Sequence, residues 1–195
     1  GLSAADLEDP AGEVVAEQEL RIIENLLERL NDPPGLGLEA GVRYHLTTYG
    51  IWGFALISSP SMRSVIETGL RYLDLTFAHS RITAEECGTG LRILLDASDI
   101  APKLRRFILE REAASIRTIQ RELGFGAEGI REIAFAFAAP ETLDCYVDVF
   151  GLVPTFDAPI TSALVDAELL DLPLPQADTH ATAMALAQCE DLLAR

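Results

Sequence analysis

The order of apolar and polar positions divides the chain into segments of changing period. "AGEVVAEQELRIIENLLERLND" sets Val15, Leu20, Ile23, Leu26, Leu27 and Leu30 at helical spacing, and the "NDPPGLG" that follows ends that helix. Residues 48–57 and 61–76 read as two further helices. Ser59 can cap the second, with Pro60 at its first position, where a missing N–H costs nothing. A β-hairpin follows, with arms near 79–85 and 90–96 and Gly88 and Gly90 supplying the turn. A long helix runs from Pro102 to about Leu123, stopped by "GFG".

Beyond it, "IREIAFAFA" alternates and is rich in β-branched and aromatic residues, as a strand is. "PETLDCYVDVFG" reads as a short helix, "LVPTFDAP" and "TSALVDAE" as two short strands, and "LPLPQAD" as an extended connector. The last helix lies in "DTHATAMALAQCEDLLAR", with Asp178 as its N-cap. No repeat, low-complexity tract or long linker interrupts this order. The expected fold class is α+β: short, mainly antiparallel strands packed with several helices in a single domain spanning 1–195.

Composition narrows the function classes. Lys and Arg total 15 against 31 Asp and Glu, a net charge of −16 that repels nucleic-acid phosphates, so direct DNA or RNA binding by this chain is not expected. The three cysteines (Cys87, Cys145 and Cys189) are scattered without CxxC spacing, which predicts reduced thiols in a cytoplasmic protein and no zinc site. No apolar run reaches the roughly 18 residues that a membrane span needs. The chain starts at Gly1 and not at Met, which suggests that an N-terminal piece has been removed.

The glycines of "TTYGIWGFALISSPSM" invite a phosphate-loop reading. Neither G-x-G-x-x-G nor GxxxxGK is present, and no lysine stands near. The remaining reading is that Gly50 and Gly53 let a helix approach a neighbouring backbone, with Trp52, Phe54, Leu56 and Ile57 as its buried face. His45, His79 and His180 lack metal-ligand spacing, and neither a G-x-S-x-G elbow nor an S-x-x-K motif occurs, so no catalytic residue, metal or cofactor is expected. Ser58 and Ser59 read as caps. His180, in the first turn of the last helix, is expected in solvent, and His79 enters the hairpin beside Arg81.

The long helix carries an anomaly. Leu104, Ile108, Ile116, Ile119 and Leu123 share one stripe, and Glu112 falls near its middle, with Arg111 at the border. A carboxylate facing a core costs several kcal/mol unless it is paired or hydrogen-bonded. Three readings stay open: a structural ion pair with Arg81 or Arg105, a polar anchor in a ligand cavity, or a rotated helix that exposes Glu112 to water.

The run "DPPGLGLEAGVRYHLTTYGIWGFALISSPSMRSVIETGLRYLDL" resembles the N-terminal regulatory region of a subset of AraC-type transcription regulators, those related to ornithine-utilisation regulators and carrying an arabinose-binding-type domain. "LRRFILEREAA", "IAFAFAAPETLDCYVDVFG" and "LLDLPLPQAD" continue the likeness in the same order, so it extends from about residue 15 to about 190. The resemblance implies a bacterial, cytoplasmic effector-sensing domain. It also implies that a C-terminal helix-turn-helix domain, absent from this chain, would follow "CEDLLAR" and make all DNA contact. The mixed element order departs from the cupin-like barrel of better-known AraC-type sensors, so their sugar pocket is not carried over.

The expected function is therefore a non-enzymatic sensor that binds a small-molecule effector, forms a homodimer and has no membrane partner. The alternative is a dimerisation module without an effector site. The last helix and the long helix are the candidate contact surfaces. Tyr49, Trp52, Tyr72, His79, Arg81 and Glu112 are the expected wall of an effector pocket that is mostly apolar, with Arg81 suited to an effector carboxylate if unpaired.

Overall fold

A computed structural model describes residues 14–126 and 129–194. The first helix, α1 (Ala16–Leu30), buries Ile23 and Leu27 and ends at Asn31, whose left-handed backbone (φ 60°) stops it. The proposed beginning of this segment, residues 11–13, lies outside the described residues. A short helix, α2 (Leu36–Gly41), follows, although "NDPPGLG" reads only as a stop. A Cβ on Gly37 or Gly41 would collide with the carbonyl oxygen of Phe107 or Arg111. Glycine at both positions is what lets α2 lie directly on the backbone of the long helix.

The glycine-aromatic stretch is two elements and not one. A 3-10 turn (Leu46–Tyr49) gives way at Gly50, whose backbone has φ +56°, to α3 (Ile51–Ser58). Gly53 does serve close approach, since a Cβ there would strike the Leu46 carbonyl. Trp52 and Leu56 are buried, but Phe54 is 49% exposed, and Ala55 takes the inner position expected for it. The next helix, α4 (Met62–Arg71), is capped by Ser61 and not by Ser59: the Ser61 side chain accepts from the Ser64 N–H. Ser59 instead turns its hydroxyl back to the Ala55 carbonyl at 2.8 Å and is fully buried. Pro60 precedes the cap, which stands two residues later than expected.

Strands β1 (Arg81–Cys87) and β2 (Gly90–Asp96) pair antiparallel around a two-residue Gly88-Thr89 loop. Gly90 is needed for another reason than the turn: a Cβ there would collide with the Val165 carbonyl of the adjoining strand. The long helix α5 (Pro102–Glu122) follows. The short strand β3 (Glu132–Ala134) covers only part of the alternating run. Then come α6 (Asp144–Phe150), β4 (Thr161–Asp166), α7 (Ala167–Leu170) and α8 (Thr179–Leu193), whose N-cap Asp178 accepts from the Ala181 N–H at 2.8 Å. "LVPTFDAP" forms no strand; only Thr155 bridges to Ala134.

The sheet is open and antiparallel, in the order β1-β2-β4-β3. With the helices it makes an α+β fold and not a closed barrel. Helix α5 runs through the middle and is buried nearly all round, from Phe107 to Ser115 and again from Arg117 to Gln120. A single apolar stripe therefore understates it. Between Phe107 and Gln120 its polar residues are enclosed by protein, while Lys103, Arg121 and Glu122 at its ends are exposed, so only those ends are free for contact. The glycines of α2 cover one side, and the Tyr146–Phe150 end of α6 packs beside Ala113 and Ala114. The connector after α7 pins the Ser-Ser-Pro joint: Leu174 N–H donates to the Pro60 carbonyl and Asp178 N–H to Ser58.

Candidate functional site

The core is not filled everywhere. Between α3, α4, α5 and the inner face of the sheet lies a cavity of about 120 Å³, lined mainly by apolar side chains such as Trp52, Leu56, Ile66, Ile93, Ile119 and Val165. Helices α3 and α4 form one wall because the Ser-Ser-Pro joint folds them against each other, and Trp52 Nε1 ties them by donating to the Gly69 carbonyl at 3.3 Å. An aromatic cluster closes one side. Tyr49 stands 4.8 Å from Trp52, 5.6 Å from Phe77 and 6.1 Å from Tyr44, measured between ring centroids. Burial, above all, pushes the Tyr49 phenol up to about 12, so it stays protonated at any physiological pH.

At the same side, α5 presents adjacent opposite charges, Arg111 and Glu112, both buried and both on the cavity wall. Glu112 Oε1 accepts from the backbone N–H of His79 at 2.6 Å and of Ser80 at 3.2 Å, and its Oε2 accepts from the Ser80 hydroxyl. Arg111 donates through Nη1 to Glu19 at 2.6 Å and through Nη2 to the Phe77 carbonyl at 2.8 Å, with its guanidinium 5.7 Å from the centre of the Tyr44 ring. These bonds fix residues 76–80, of which Thr76, Phe77 and Ala78 line the cavity. Burial works to raise the Glu19 carboxyl, yet the His79 ring, 3.1 Å away, and the Arg111 guanidinium hold it below the usual carboxylate range.

Of the six residues singled out in sequence, Tyr49, Trp52 and Glu112 line this cavity and three do not. Tyr72 is buried, but its hydroxyl donates to Glu190 at 3.1 Å, tying α4 to α8. His79 meets Glu112 through its backbone while its ring turns to Glu19. Arg81 sits at the hairpin edge, exposed and paired with Asp96 at 2.5 Å, so it is not an unpaired pocket cation. Neither Arg81 nor Arg105 partners Glu112; Arg105 donates to the carbonyls of Ile100 and Ser98. The lining residues that sequence reasoning missed include Tyr44, Phe77 and Arg111. A cation bordering an apolar stripe was the available signal for Arg111. Tyr44 and Phe77 lie in irregular segments whose periodicity carries none. His180 is exposed, as expected. No group of three metal-binding side chains occurs among the described residues.

A family comparison gives this arrangement its context. Residues 1–174 match the family described as the arabinose-binding domain of AraC transcription regulators, N-terminal. The chain belongs to this family. It is 34% identical over 200 residues to two HTH-type transcriptional regulators, Mb1430 of Mycobacterium bovis and Rv1395 of Mycobacterium tuberculosis, covering 100% of this chain and 58% of each regulator. It is 28% identical over 169 residues to the ornithine utilization regulator of Pseudomonas aeruginosa, covering 83% of this chain and 48% of that protein. The chain thus spans about half the length of these relatives. The crystal structure of the transcriptional regulator CdpR from Pseudomonas aeruginosa superposes with a TM-score of 0.66 over 90% of this chain and 62% of that one, at 19% identity, a likeness of fold alone. These relatives are regulators, two of them of the HTH transcriptional type. Among the described residues, no helix is long and apolar enough to cross a membrane.

Proposed function

We propose that this regulatory domain binds a small-molecule effector in the cavity beside α5 and passes the binding signal to a DNA-binding domain elsewhere in the complete regulator. The cavity is the observation that carries this reading. A partly open, mainly apolar pocket of about 120 Å³ with a few convergent polar groups, beneath a charge-tethered segment, has the lining that small-molecule sites have. Its wall draws on three helices, three strands and residues 76–78, so a ligand that fits one arrangement of these pieces better than another shifts their balance. Only that difference in affinity can transmit a signal. The net charge of −16 leaves DNA contact to the other domain. On this reading the protein works in the bacterial cytoplasm, as a homodimer, without a membrane partner.

One observation favours the second role of self-association. Ile22, Leu26 and Leu30, at 38–49% exposure, follow one another at one-turn intervals along α1 and give it an outward apolar stripe. The two roles are separable by thermal-shift screening. If the domain senses, at least one metabolite raises its melting temperature saturably, since any ligand of the native state does so. The same metabolite then changes the affinity of the complete regulator for its operator. No response to amino acids, sugars, fatty acids or aromatic acids would reduce the domain to a dimerisation module.

A further inference from the structure

Resting on the sensing reading, we infer that the cavity is shaped for a compact, neutral, ring-bearing ligand, and that Gly69 on α4 is the residue that leaves room for its ring. Size is the first ground. The volume of about 120 Å³ is close to that of an engineered apolar cavity of about 150 Å³ that takes up benzene. Chemistry is the second. Tyr49, Trp52 and Phe77 supply faces and edges at the spacing that aromatic pairs favour, with Tyr49 within 4.8–5.6 Å of the other two.

The third ground is that the charges on the wall are already engaged. Both oxygens of Glu112 hold residues 79–80, and Arg111 holds Glu19 and the Phe77 carbonyl. The Ser115 hydroxyl, also on the wall, donates back to the Arg111 carbonyl at 2.8 Å. A sugar would bring several hydroxyls, and an amino acid two or more charges, into a space where the Tyr44 and Tyr49 hydroxyls and the Gln120 amide, all uncharged, are the polar groups left to answer them. Every buried polar group without a partner counts against binding.

Gly69 is the fourth. It lies within α4 without a positive φ, and a Cβ there would sit 3.4 Å from Trp52 Cζ2 and 3.8 Å from Leu56 Cδ2, at ordinary contact distance. Neither backbone conformation nor close approach requires glycine at this point, unlike at Gly37 or Gly53. What its missing side chain leaves is space on the cavity wall, next to the indole.

The experiment compares the wild-type chain with Gly69→Leu and Gly69→Ala, using phenol, indole, L-arabinose and L-ornithine as probes. Titration calorimetry gives Kd, the melting temperature reports native-state binding, and circular dichroism confirms the fold of each variant. The expected result is a wild-type rise of about 4 °C at ten times Kd for phenol or indole, with no response to arabinose or ornithine. The folded leucine variant should lose at least tenfold in affinity, and should leucine prevent folding, a weaker affinity of the alanine variant for indole reads the same point. Saturable binding of arabinose or ornithine that Gly69→Leu abolishes would overturn the ligand class and leave the sensing site standing. Ring probes that bind the leucine variant as tightly as the wild type would overturn the role of Gly69. No probe bound, with Gly69→Leu simply raising the melting temperature, would overturn the ring-ligand inference and make the space beside Gly69 a packing defect, while the wider metabolite screen decides the sensing reading.

Discussion

Glu112 shows how far a single residue can be read before its surroundings are known. A carboxylate in the middle of an apolar stripe announces that something must satisfy it, and both structure-bearing and ligand-bearing roles fit that demand. Its acceptors are filled by the backbone of His79 and Ser80 and by the Ser80 hydroxyl, groups that a search for basic side chains overlooks. Glu112→Gln keeps the shape but replaces one acceptor oxygen with a donor. Unfolding free energy should fall by about 1–3 kcal/mol in urea titration, because at least one of those donors then lacks its acceptor. An unchanged midpoint would mean that residues 79–80 are held by something else.

Two residues earlier, Glu110 is buried against α2 and α6. Burial raises its carboxyl, against the Tyr146 hydroxyl and the Gly35 and Gly37 N–H groups that favour the charged form. A folded value above the ordinary 4.5 means that its contribution is fully present below 4.5 and is lost as pH rises through the folded value. The stability of the wild type relative to Glu110→Gln should therefore decline from acid to neutral pH in paired urea titrations. A difference that stays flat with pH would show that Glu110 is not penalised by burial.

Among the elements, glycine makes opposite predictions from one helix to the next. At Gly37 and Gly41 an added methyl would meet the backbone of α5, which cannot step aside. Gly37→Ala and Gly41→Ala should each cost about 1–3 kcal/mol or more. At Gly69 the same change meets side chains at contact distance, removes a helix-breaking residue from α4 and should stabilise by roughly 0.5–1 kcal/mol. Chemical denaturation of the three variants is the check, and equal effects would contradict the packing of α2 on α5.

The same contrast explains what could be read in the chain. The long helices and the hairpin announce themselves because their period of burial is local. Helix α2 does not: its composition is that of a turn, and it becomes a helix through the backbone it leans on. "LVPTFDAP" fails for the complementary reason: Thr155 bridges Ala134, and Asp157 and Ala158 donate to the Phe137 and Phe135 carbonyls, but these bonds do not continue into a ladder. At the site, Tyr49 and Trp52 were legible as aromatics on a glycine-lightened helix. Arg81 misled because a pairing across the hairpin, with Asp96 opposite in register, is invisible until the register is known.

For the molecule as a whole, charge is the property that sequence fixes most directly, and it leads to a test of how electrostatics act here. The chain carries 31 acidic against 15 basic side chains, and its basic groups are largely spent on local pairs such as Arg63 with Glu86 and Asp171, or Arg131 with Asp166. Exposed pairs of this kind contribute about 0–1 kcal/mol each and are weakened by salt. The surplus of 16 negative charges acts the other way, since its self-repulsion opposes the compact state and screening relieves it. Screening length falls from about 30 Å at ~0.01 M salt to about 8 Å at ~0.15 M, which reaches distant like charges before it reaches pairs in contact. The repulsion should therefore yield first, and the melting temperature should rise between those two salt concentrations. A fall would mean that the contact pairs outweigh the net charge, and that this surface is held together by its local ion pairs in spite of its acidity.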